Sequence, residues 1–413
     1  MDISVYRFKL RNYSTTGTKE NKFILEWWNK VYAINNCKVY TGKNLLVDKA
    51  VIIDSNKIVD IISPFNLPAG ISEINLGGLS IAPGFIDIQV NGGGGCLFNE
   101  EPSVSVICKI YEAHKRFGTT NFLPVLLSNS RDKMMAAVKS VKYCLDKKLH
   151  GILGLHLEGP FINRKKAGVH NNKYIRTLNA EELNDLIKAA GSKVLKLLTV
   201  APEFIPPDYL RMLSGAGVLL SAGHSDITYD EAIKCFENGI TCVTHLFNAM
   251  SQLSGREPGL AGAALQAKNV WAGIIADGFH VHYAAIDIAK RIKGRKLFLT
   301  TDAMPPVGKA SRNFMLGDYV IQCRDGKCTT ETGVIAGSVL DMATAVRNCI
   351  YEIGIPIEEA LRMASTYPAE FLGMGCELGK IEPGYNANLV IFDDQVEVKG
   401  VVVNGKFEFW ANS

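Results

Sequence analysis

The sequence lacks a strong excess of charge of either sign. Its 413 residues include 45 lysines and arginines against 41 aspartates and glutamates, for a net charge of +4. So small and dispersed a charge does not predict binding to nucleic acid or to a membrane surface. No run of about eighteen apolar residues occurs, so no membrane span is expected. Residues 1–30 are polar, lack an apolar signal core and are interpreted as an extension of unknown role.

Paired cysteines of the CxxC type are also missing. The ten cysteines are scattered along the chain, which argues against a cysteine-ligated zinc site. Scattered cysteines are typical of a protein from a reduced compartment, and a cytoplasmic location is predicted. Histidine is scarce as well, with eight in the whole chain.

The middle of the chain alternates apolar strand-like runs with amphipathic helical stretches. The runs are "GFIDIQV", "TNFLPVL", "GILGLHLE", "KLLTVAPE", "VLLSAGHS", "TCVTHLFN", "WAGIIADGFH" and "LFLTTDA". Eight such β-α units over about 270 residues indicate an α/β protein with a (β/α)8 TIM barrel, here assigned to residues 83–383. A doubly wound sheet is the alternative, but no GxGxxG turn follows the first strand.

The two ends of the chain are rich in short strand-like runs. Residues 31–82 contain several such runs broken by Asn, Gly and Ser. Residues 384–413 have the character of a hairpin, with Asn404-Gly405 as the turn signal. Similar patterns at both ends predict one small β-sandwich domain built from both of them.

Polar residues with catalytic potential follow the predicted barrel strands. Glu158 ends the third, His224 the fifth, His245 the sixth and Asp302 the eighth, while the seventh runs into His280. Active sites of TIM barrels lie at this edge. One carboxylate and two imidazoles are a common ligand set for a catalytic divalent metal, and Asp302 could exchange protons with its water.

Each of these residues also has a structural interpretation when taken alone. A histidine at a strand end is often a satisfied core or loop residue. Glu158 could be a buried ion-pair partner, and Asp302 could cap the next helix. His156, which points to the same side of its strand as Glu158, is interpreted as structural. The position of Glu158, His224, His245 and Asp302 together at one barrel edge favours the catalytic interpretation.

Several motifs then resemble the amidohydrolase superfamily and, within it, the N-acetylglucosamine-6-phosphate deacetylases. The resemblance spans residues 32–407. The motifs are "LSIAPGFIDIQVNG", "GLHLEGPFIN", "SAGHS", "VTHLFNAM", "REPGLAGAAL", "IIADGFHV", "LTTDAMPPVG", "GVIAGSVLDM", "ASTYPAEFLG" and "GKIEPGYNANLVIFD". It implies hydrolysis of the acetamide of N-acetylglucosamine 6-phosphate in amino-sugar metabolism.

The resemblance also implies a role for each site residue. Metal ligands would be Glu158, His224 and His245, and catalytic residues would be Asp302 and His280. The implied substrate-binding residues are Val169, His170, Asn248, Ala249, Arg256, Asp277, Gly278, His280, Ile335, Ala336 and Gly337. Arg256 would reach the phosphate in the site of a neighbouring subunit, which implies a homodimer.

One departure from the superfamily pattern bears on the metal. Many amidohydrolases carry HxH after the first strand, where this chain has Gln89-Val90-Asn91. Amides are poor ligands for divalent transition metals, so one ion per chain is expected. Zinc is the expected ion, and iron, cobalt or manganese could use the same ligands.

Two other functions are compatible with parts of this pattern. A cyclic-amide hydrolase resembling dihydroorotase would normally have the HxH motif and a bridging carboxylated lysine. An inactive amidohydrolase-fold scaffold would explain the missing HxH, but not the presence of Glu158, His224, His245 and Asp302 together.

Overall fold

The computed structural model describes residues 22–24, 31–191, 193–309 and 313–410. In chain order, the strands are β1 (Lys22–Ile24), β2 (Tyr32–Asn35), β3 (Lys38–Tyr40), β4 (Leu45–Leu46), β5 (Ala50–Asp54), β6 (Lys57–Ile62), β7 (Ser72–Asn75), β8 (Ser80–Pro83), β9 (Phe85–Val90), β10 (Gly92–Gly93), β11 (Cys96–Leu97), β12 (Thr119–Leu127), β13 (Leu155–Glu158), β14 (Leu195–Val200), β15 (Leu219–Ala222), β16 (Ile240–Val243), β17 (Trp271–Ile274), β18 (Leu297–Leu299), β19 (Asn313–Leu316), β20 (Tyr319–Arg324), β21 (Lys327–Thr329), β22 (Ile335–Ser338), β23 (Leu389–Phe392), β24 (Val398–Val403) and β25 (Lys406–Trp410). The α-helices are α1 (Val104–Lys115), α2 (Arg131–Asp146), α3 (Ala180–Gly191), α4 (Pro207–Gly215), α5 (Tyr229–Glu237), α6 (Gly259–Gln266), α7 (Tyr283–Lys293), α8 (Met342–Tyr351), α9 (Ile357–Ala364) and α10 (Thr366–Phe371).

Eight parallel strands form the central barrel, in the spatial order β9, β12, β13, β14, β15, β16, β17 and β18. Each overlaps one of the eight predicted runs. The ring comes close to closing, because Val90 at the end of β9 forms a parallel bridge with Ala303 beyond β18. The predicted TIM barrel is confirmed, and the doubly wound sheet is excluded because the end strands of such a sheet stay apart.

The barrel strands are buried on both faces. Every residue of β9 and β12 is buried, since helices cover the outside of a barrel and packed side chains fill its interior. Side-chain caps mark where helices begin: Ser103 caps α1, and Thr228 forms a capping box with Glu231 at α5. Within the described ranges, no helix combines the length and apolar character needed to span a membrane.

Strands from both chain ends build two further sheets. One has the order β1-β25-β24-β23-β8-β3-β4 and the other β6-β5-β2-β7. Ile34 and Ile53 of the smaller sheet share a core with Val39, Ile391 and Val402 of the larger one. The predicted sandwich is therefore present, while its boundaries as a domain stay a prediction.

The predicted extension over residues 1–30 lies outside the described residues except for β1. Through its backbone, β1 pairs antiparallel with β25 and adds an edge strand to the larger sheet. The sequence interpretation had placed no strand there.

A four-stranded antiparallel sheet, β19 to β22, is inserted between β18 and α8. Sequence analysis did not predict it. Its Leu316 and Ile321 pack with Val125 of β12, so it covers one side of the barrel mouth. Its central hairpin brings Cys323 opposite Cys328, and the two form a disulfide, while the other eight cysteines are free. This disulfide departs from the expectation of reduced cysteines.

Candidate active site

The three predicted metal ligands meet at the carboxyl-terminal edge of the barrel. Glu158 is the last residue of β13 and is 2% exposed. His224 and His245 lie just beyond β15 and β16. Oε1 of Glu158 is 2.9 Å from Nε2 of His224 and 3.0 Å from Nε2 of His245, and the two nitrogens are 3.1 Å apart. Three potential ligand atoms therefore converge on one point.

Hydrogen bonding shows which nitrogen of His224 faces this point. Nδ1 of His224 lies 2.8 Å from the carbonyl oxygen of Lys166, which can only accept, so Nδ1 carries the proton. Nε2 is therefore the nitrogen of His224 that can present a lone pair at this point. Lone pairs this close repel each other unless a cation lies among them.

The spacing of the three atoms matches a metal site. Atoms that bind a tetrahedral zinc at about 2.0–2.1 Å lie roughly 3.3 Å from one another, close to the separations found here. Burial raises the pKa of Glu158, but its contacts with His224 and His245 outweigh burial and hold that pKa well below its usual range. The donor set fits a divalent metal.

His170 lies beside the cluster and could be taken for a fourth ligand. Glu158, His170 and His224 place ligand atoms all within 4.8 Å of one another. However, the backbone N–H of Ser128 donates to Nδ1 of His170 over 3.2 Å. Burial holds the pKa of His170 well below its usual value, so the ring is neutral and Nε2 carries its proton. His170 thus directs a hydrogen-bond donor into the site, where a metal ligand would need a lone pair.

Gln89 and Asn91 occupy the place of the HxH motif. The hydroxyl of Thr300 donates to Oε1 of Gln89 over 3.2 Å, which turns the amide nitrogen towards the site. That nitrogen donates to Glu158 over 3.0 Å and to Asp302 over 3.2 Å. The amide nitrogen of Asn91 donates to Asp302 over 2.6 Å. Both amides present hydrogen-bond donors here, and such groups do not bind a cation.

Asp302 is partly buried and has a perturbed pKa. Burial first, and the negative charge of Glu158 second, raise its pKa to about 6, although His245, His280 and Asn91 oppose the shift. A carboxylate with a pKa near the working pH is suited to accept and return a proton.

Unusual backbone geometry distinguishes the same residues. His224, His245 and Asp302 all have positive φ, at 50°, 36° and 51°. Non-glycine residues pay roughly 1–2 kcal/mol for this left-handed conformation. Such strain is concentrated at functional sites, where it aims side chains that regular strands would direct elsewhere.

His280 belongs to a buried pair with Asp277. Nδ1 of His280 lies 2.6 Å from Oδ2 of Asp277, whose Oδ1 accepts the backbone N–H of His280 over 2.8 Å. Burial raises the pKa of Asp277, but the contacts with His280 outweigh burial and lower it. The carboxylate therefore orients the imidazole and leaves its Nε2 free for another partner.

Two family models match the chain. The model described as the amidohydrolase family matches residues 80–407, and the one described as the NagA composite domain matches residues 31–81. The chain belongs to the amidohydrolase family.

Relatives of this amidohydrolase are named for phosphorylated amino sugars. It is 38% identical over 380 residues to the N-acetylglucosamine-6-phosphate deacetylase of Haemophilus influenzae, covering 91% of this chain and 99% of that protein. It is 37% identical over 333 residues to an N-acetylgalactosamine-6-phosphate deacetylase of a Shewanella species, covering 80% and 84%. The crystal structure of N-acetylglucosamine-6-phosphate deacetylase from Pasteurella multocida matches with a TM-score of 0.89 and 38% identity, covering 91% and 99%.

The other predicted substrate-binding residues of the amidohydrolase lie on three segments of the chain. Asn248 and Ala249 follow His245, with the Asn248 N–H bonded to the His245 carbonyl. Gly278 lies between Asp277 and His280 in the loop after β17. Ile335, Ala336 and Gly337 are the first three residues of β22. Gly337 has φ 59°, and a Cβ there would lie 2.8 Å from the Asp302 carbonyl oxygen, so this approach requires glycine.

A cavity of about 230 Å³ lies next to the cluster, and Val169 and His170 line it. Arg256 differs from every other predicted residue because it is exposed. Within the described residues its guanidinium makes no hydrogen bond or ion pair. The single chain therefore does not bring Arg256 into the cluster, and its role stays a prediction.

His156 is structural, as the sequence interpretation favoured. Its ring nitrogens bond the carbonyl of Ile88 and the hydroxyl of Thr199, both within the barrel. Sequence reasoning missed Asp87, a fully buried carboxylate in β9. The signal for it was a charged residue in the middle of the apolar run "FIDIQV".

Proposed function

We propose that this protein hydrolyses the acetamide of N-acetylglucosamine 6-phosphate to glucosamine 6-phosphate and acetate. The observation that supports this most is the convergence of Glu158, His224 and His245 at the barrel edge that also presents Asp302. Similarity over nine-tenths of the chain to deacetylases of this substrate supports the choice of substrate. A cyclic-amide hydrolase or an inactive scaffold has no comparable support.

Glu158, His224 and His245 would hold one divalent ion per chain, with zinc as the expected ion. Bound there, the ion supplies Lewis acidity that polarises the acetyl carbonyl and acidifies water. The amide nitrogens of Gln89 and Asn91 occupy the position where other amidohydrolases have further ligands, which supports a single ion.

Asp302 acts as the general base and then the general acid. Its carboxylate accepts the proton of the attacking water and delivers it to the departing amine, whose expulsion requires protonation. The donors from Gln89 and Asn91 hold Oδ1, which leaves Oδ2 available for the proton.

Two imidazoles position the substrate. Nε2–H of His170 donates to an oxygen of the sugar or its acetamide. His280, oriented by Asp277, contacts the substrate and stabilises the developing oxyanion. The walls around the sugar are formed by Val169, Asn248, Ala249, Gly278, Ile335, Ala336 and Gly337.

Arg256 binds the phosphate in the site of a second subunit, so the active form is a homodimer. Its exposure and the lack of a partner for its guanidinium in the described part of the chain support this role. A guanidinium suits a phosphate dianion because it donates two aligned hydrogen bonds. A cytoplasmic location and the absence of nucleic-acid partners remain predictions from composition.

Acetate release tests this function. N-acetylglucosamine 6-phosphate should be deacetylated far faster than unphosphorylated N-acetylglucosamine at equal concentration. A preference for the unphosphorylated sugar would refute the proposed phosphate recognition. N-acetylgalactosamine 6-phosphate is the second candidate substrate, favoured by the similarity to the Shewanella protein, and belongs in the same assay.

A further inference from the structure

Asp87 is a buried carboxylate that the proposed mechanism does not use. It lies within β9 and is 0% exposed. Its Oδ2 accepts a 2.5 Å hydrogen bond from the hydroxyl of Thr301. Its Oδ1 accepts the backbone N–H groups of Thr301, over 3.3 Å, and of Gln89, over 3.2 Å. Burying a carboxylate is costly, and these three hydrogen bonds offset that cost.

The hydrogen bonds from Thr301 to Asp87 cross the seam of the barrel, which is the place where its two end strands meet. Asp87 belongs to β9 and Thr301 follows β18, which are the two end strands of the ring. No continuous ladder joins β9 to β18, and Val90 and Ala303 form an isolated bridge. The backbone N–H groups of Asn91 and Gly92 also donate across the seam, to the carbonyl of Ala303. The side chain of Asp87 therefore adds hydrogen bonds across the seam at Thr301, the residue just before Asp302.

The backbone next to Asp302 is held from a second side as well. The hydroxyl of Ser338 donates to the Thr301 carbonyl over 2.6 Å, and the Ser338 N–H donates to the Asp302 carbonyl over 3.0 Å. Asp302 itself has the left-handed φ of 51°. An unfavourable conformation persists where its surroundings fix it. Here those surroundings are Asp87 and Ser338.

We propose that Asp87 is a positioning residue for the general base: through Thr301 it holds Asp302 in the orientation that proton transfer requires. This inference rests on the proposed role of Asp302. Without the Thr301 hydroxyl, the strained Asp302 can relax and its carboxylate moves. A displacement of about 1 Å in an active site can lower the rate roughly a hundredfold.

The test compares two substitutions of Thr301. Thr301→Val keeps the shape of the side chain but removes the hydroxyl, whereas Thr301→Ser keeps the hydroxyl. Thr344→Val is the matched control, because the Thr344 hydroxyl and N–H bond the two carboxylate oxygens of Asp341 over 2.7 and 2.8 Å. Steady-state kinetics on the phosphorylated sugar, metal content and Tm are measured for all three.

Thr301→Val should lower kcat on the order of ten- to a hundredfold, with KM within about twofold and metal content unchanged. Thr301→Ser should stay within about threefold of the parent kcat. Thr344→Val should do so as well, even if its Tm falls as much as that of Thr301→Val. Asp87→Asn should lower kcat as Thr301→Val does, provided that it folds. If it does not fold, the comparison of Thr301→Val with Thr301→Ser tests the inference.

The inference is overturned if Thr301→Val keeps kcat within about threefold of the parent while Asp302→Asn is inactive. It is equally overturned if Thr301→Val and Thr344→Val lose kcat to the same extent, because the loss would then follow stability. Full turnover by Asp302→Asn would refute the role of Asp302 as the base, and the absence of acetate release by the parent protein would refute the proposed function, so the failures are distinguishable.

Discussion

Asp302→Asn is the substitution on which the proposed chemistry depends most. In the parent, Oδ1 of Asp302 accepts hydrogen bonds from Asn91 over 2.6 Å and from Gln89 over 3.2 Å. An asparagine can place its carbonyl oxygen in the same position and accept both bonds. Its amide nitrogen then replaces Oδ2, the oxygen available for the proton. The substitution should therefore preserve folding and metal content while removing the base.

The size of the effect follows from the ionisation of Asp302. With a pKa of about 6, roughly 97% of this carboxylate is ionised at pH 7.5 and about 9% at pH 5. Nearly every parent molecule therefore holds a competent base at pH 7.5, and no Asp302→Asn molecule does. General acid–base catalysis contributes typically about 10²–10⁴-fold, so kcat should fall by that factor.

The assay is acetate release at saturating phosphorylated substrate, together with metal analysis of the same preparation. KM should change little, because Asp302 contributes to proton transfer more than to ground-state binding. Loss of the metal with the activity would identify Asp302 as a ligand. Retention of turnover within about tenfold of the parent would refute the assignment of Asp302 as the base.

Three further predictions concern pH, metal and phosphate. The parent kcat/KM should fall on the acid side, since Asp302 must be ionised to accept a proton. The midpoint should lie at or somewhat below pH 6, because a bound cation offsets the charge of Glu158 that raises the pKa of Asp302. Asn91→Leu, which removes a hydrogen bond that lowers the pKa of Asp302, should move that midpoint upward in the pH–rate profile, and an unmoved midpoint would contradict this. Purified protein should contain about one divalent ion per chain, and His245→Ala should lose metal and activity together; two ions at full occupancy would disprove the single site. Arg256→Ala should raise KM for the phosphorylated sugar by roughly ten- to a hundredfold, with Arg256→Lys between it and the parent. Mixing Arg256→Ala with Asp302→Asn chains should restore activity in hybrid dimers, and no restoration would argue against a shared site.

The pattern of the sequence was sufficient to predict the barrel and to group Glu158, His224 and His245 at one edge of it. Eight apolar runs separated by amphipathic stretches require a parallel sheet, because each run must be covered on both faces. Parallel strands place all their carboxyl ends at one edge. Residues as distant in the chain as Glu158, His224 and Asp302 could therefore be assigned to one site from their positions in the runs.

The insertion β19 to β22 was not predicted, because strands that are not covered on both faces do not need continuous apolar runs. Its strands are short and partly exposed, so they lack the continuous apolar runs that mark the barrel strands. The pairing of Cys323 with Cys328 depends on the register of its central hairpin. The spacing of the two cysteines along the chain does not reveal that register.

The part that each side chain plays in the site depends on contacts that form only in the folded barrel. His170 and His224 are both buried histidines beside Glu158, yet one faces it with a proton and the other with a lone pair. The difference arises because Nδ1 of His170 accepts from a backbone N–H, whereas Nδ1 of His224 donates to a carbonyl. The bond between Asp87 and Thr301 joins residues more than two hundred positions apart. Such contacts depend on atomic distances that exist only after the barrel has closed, and for this reason no pattern within one strand could predict them.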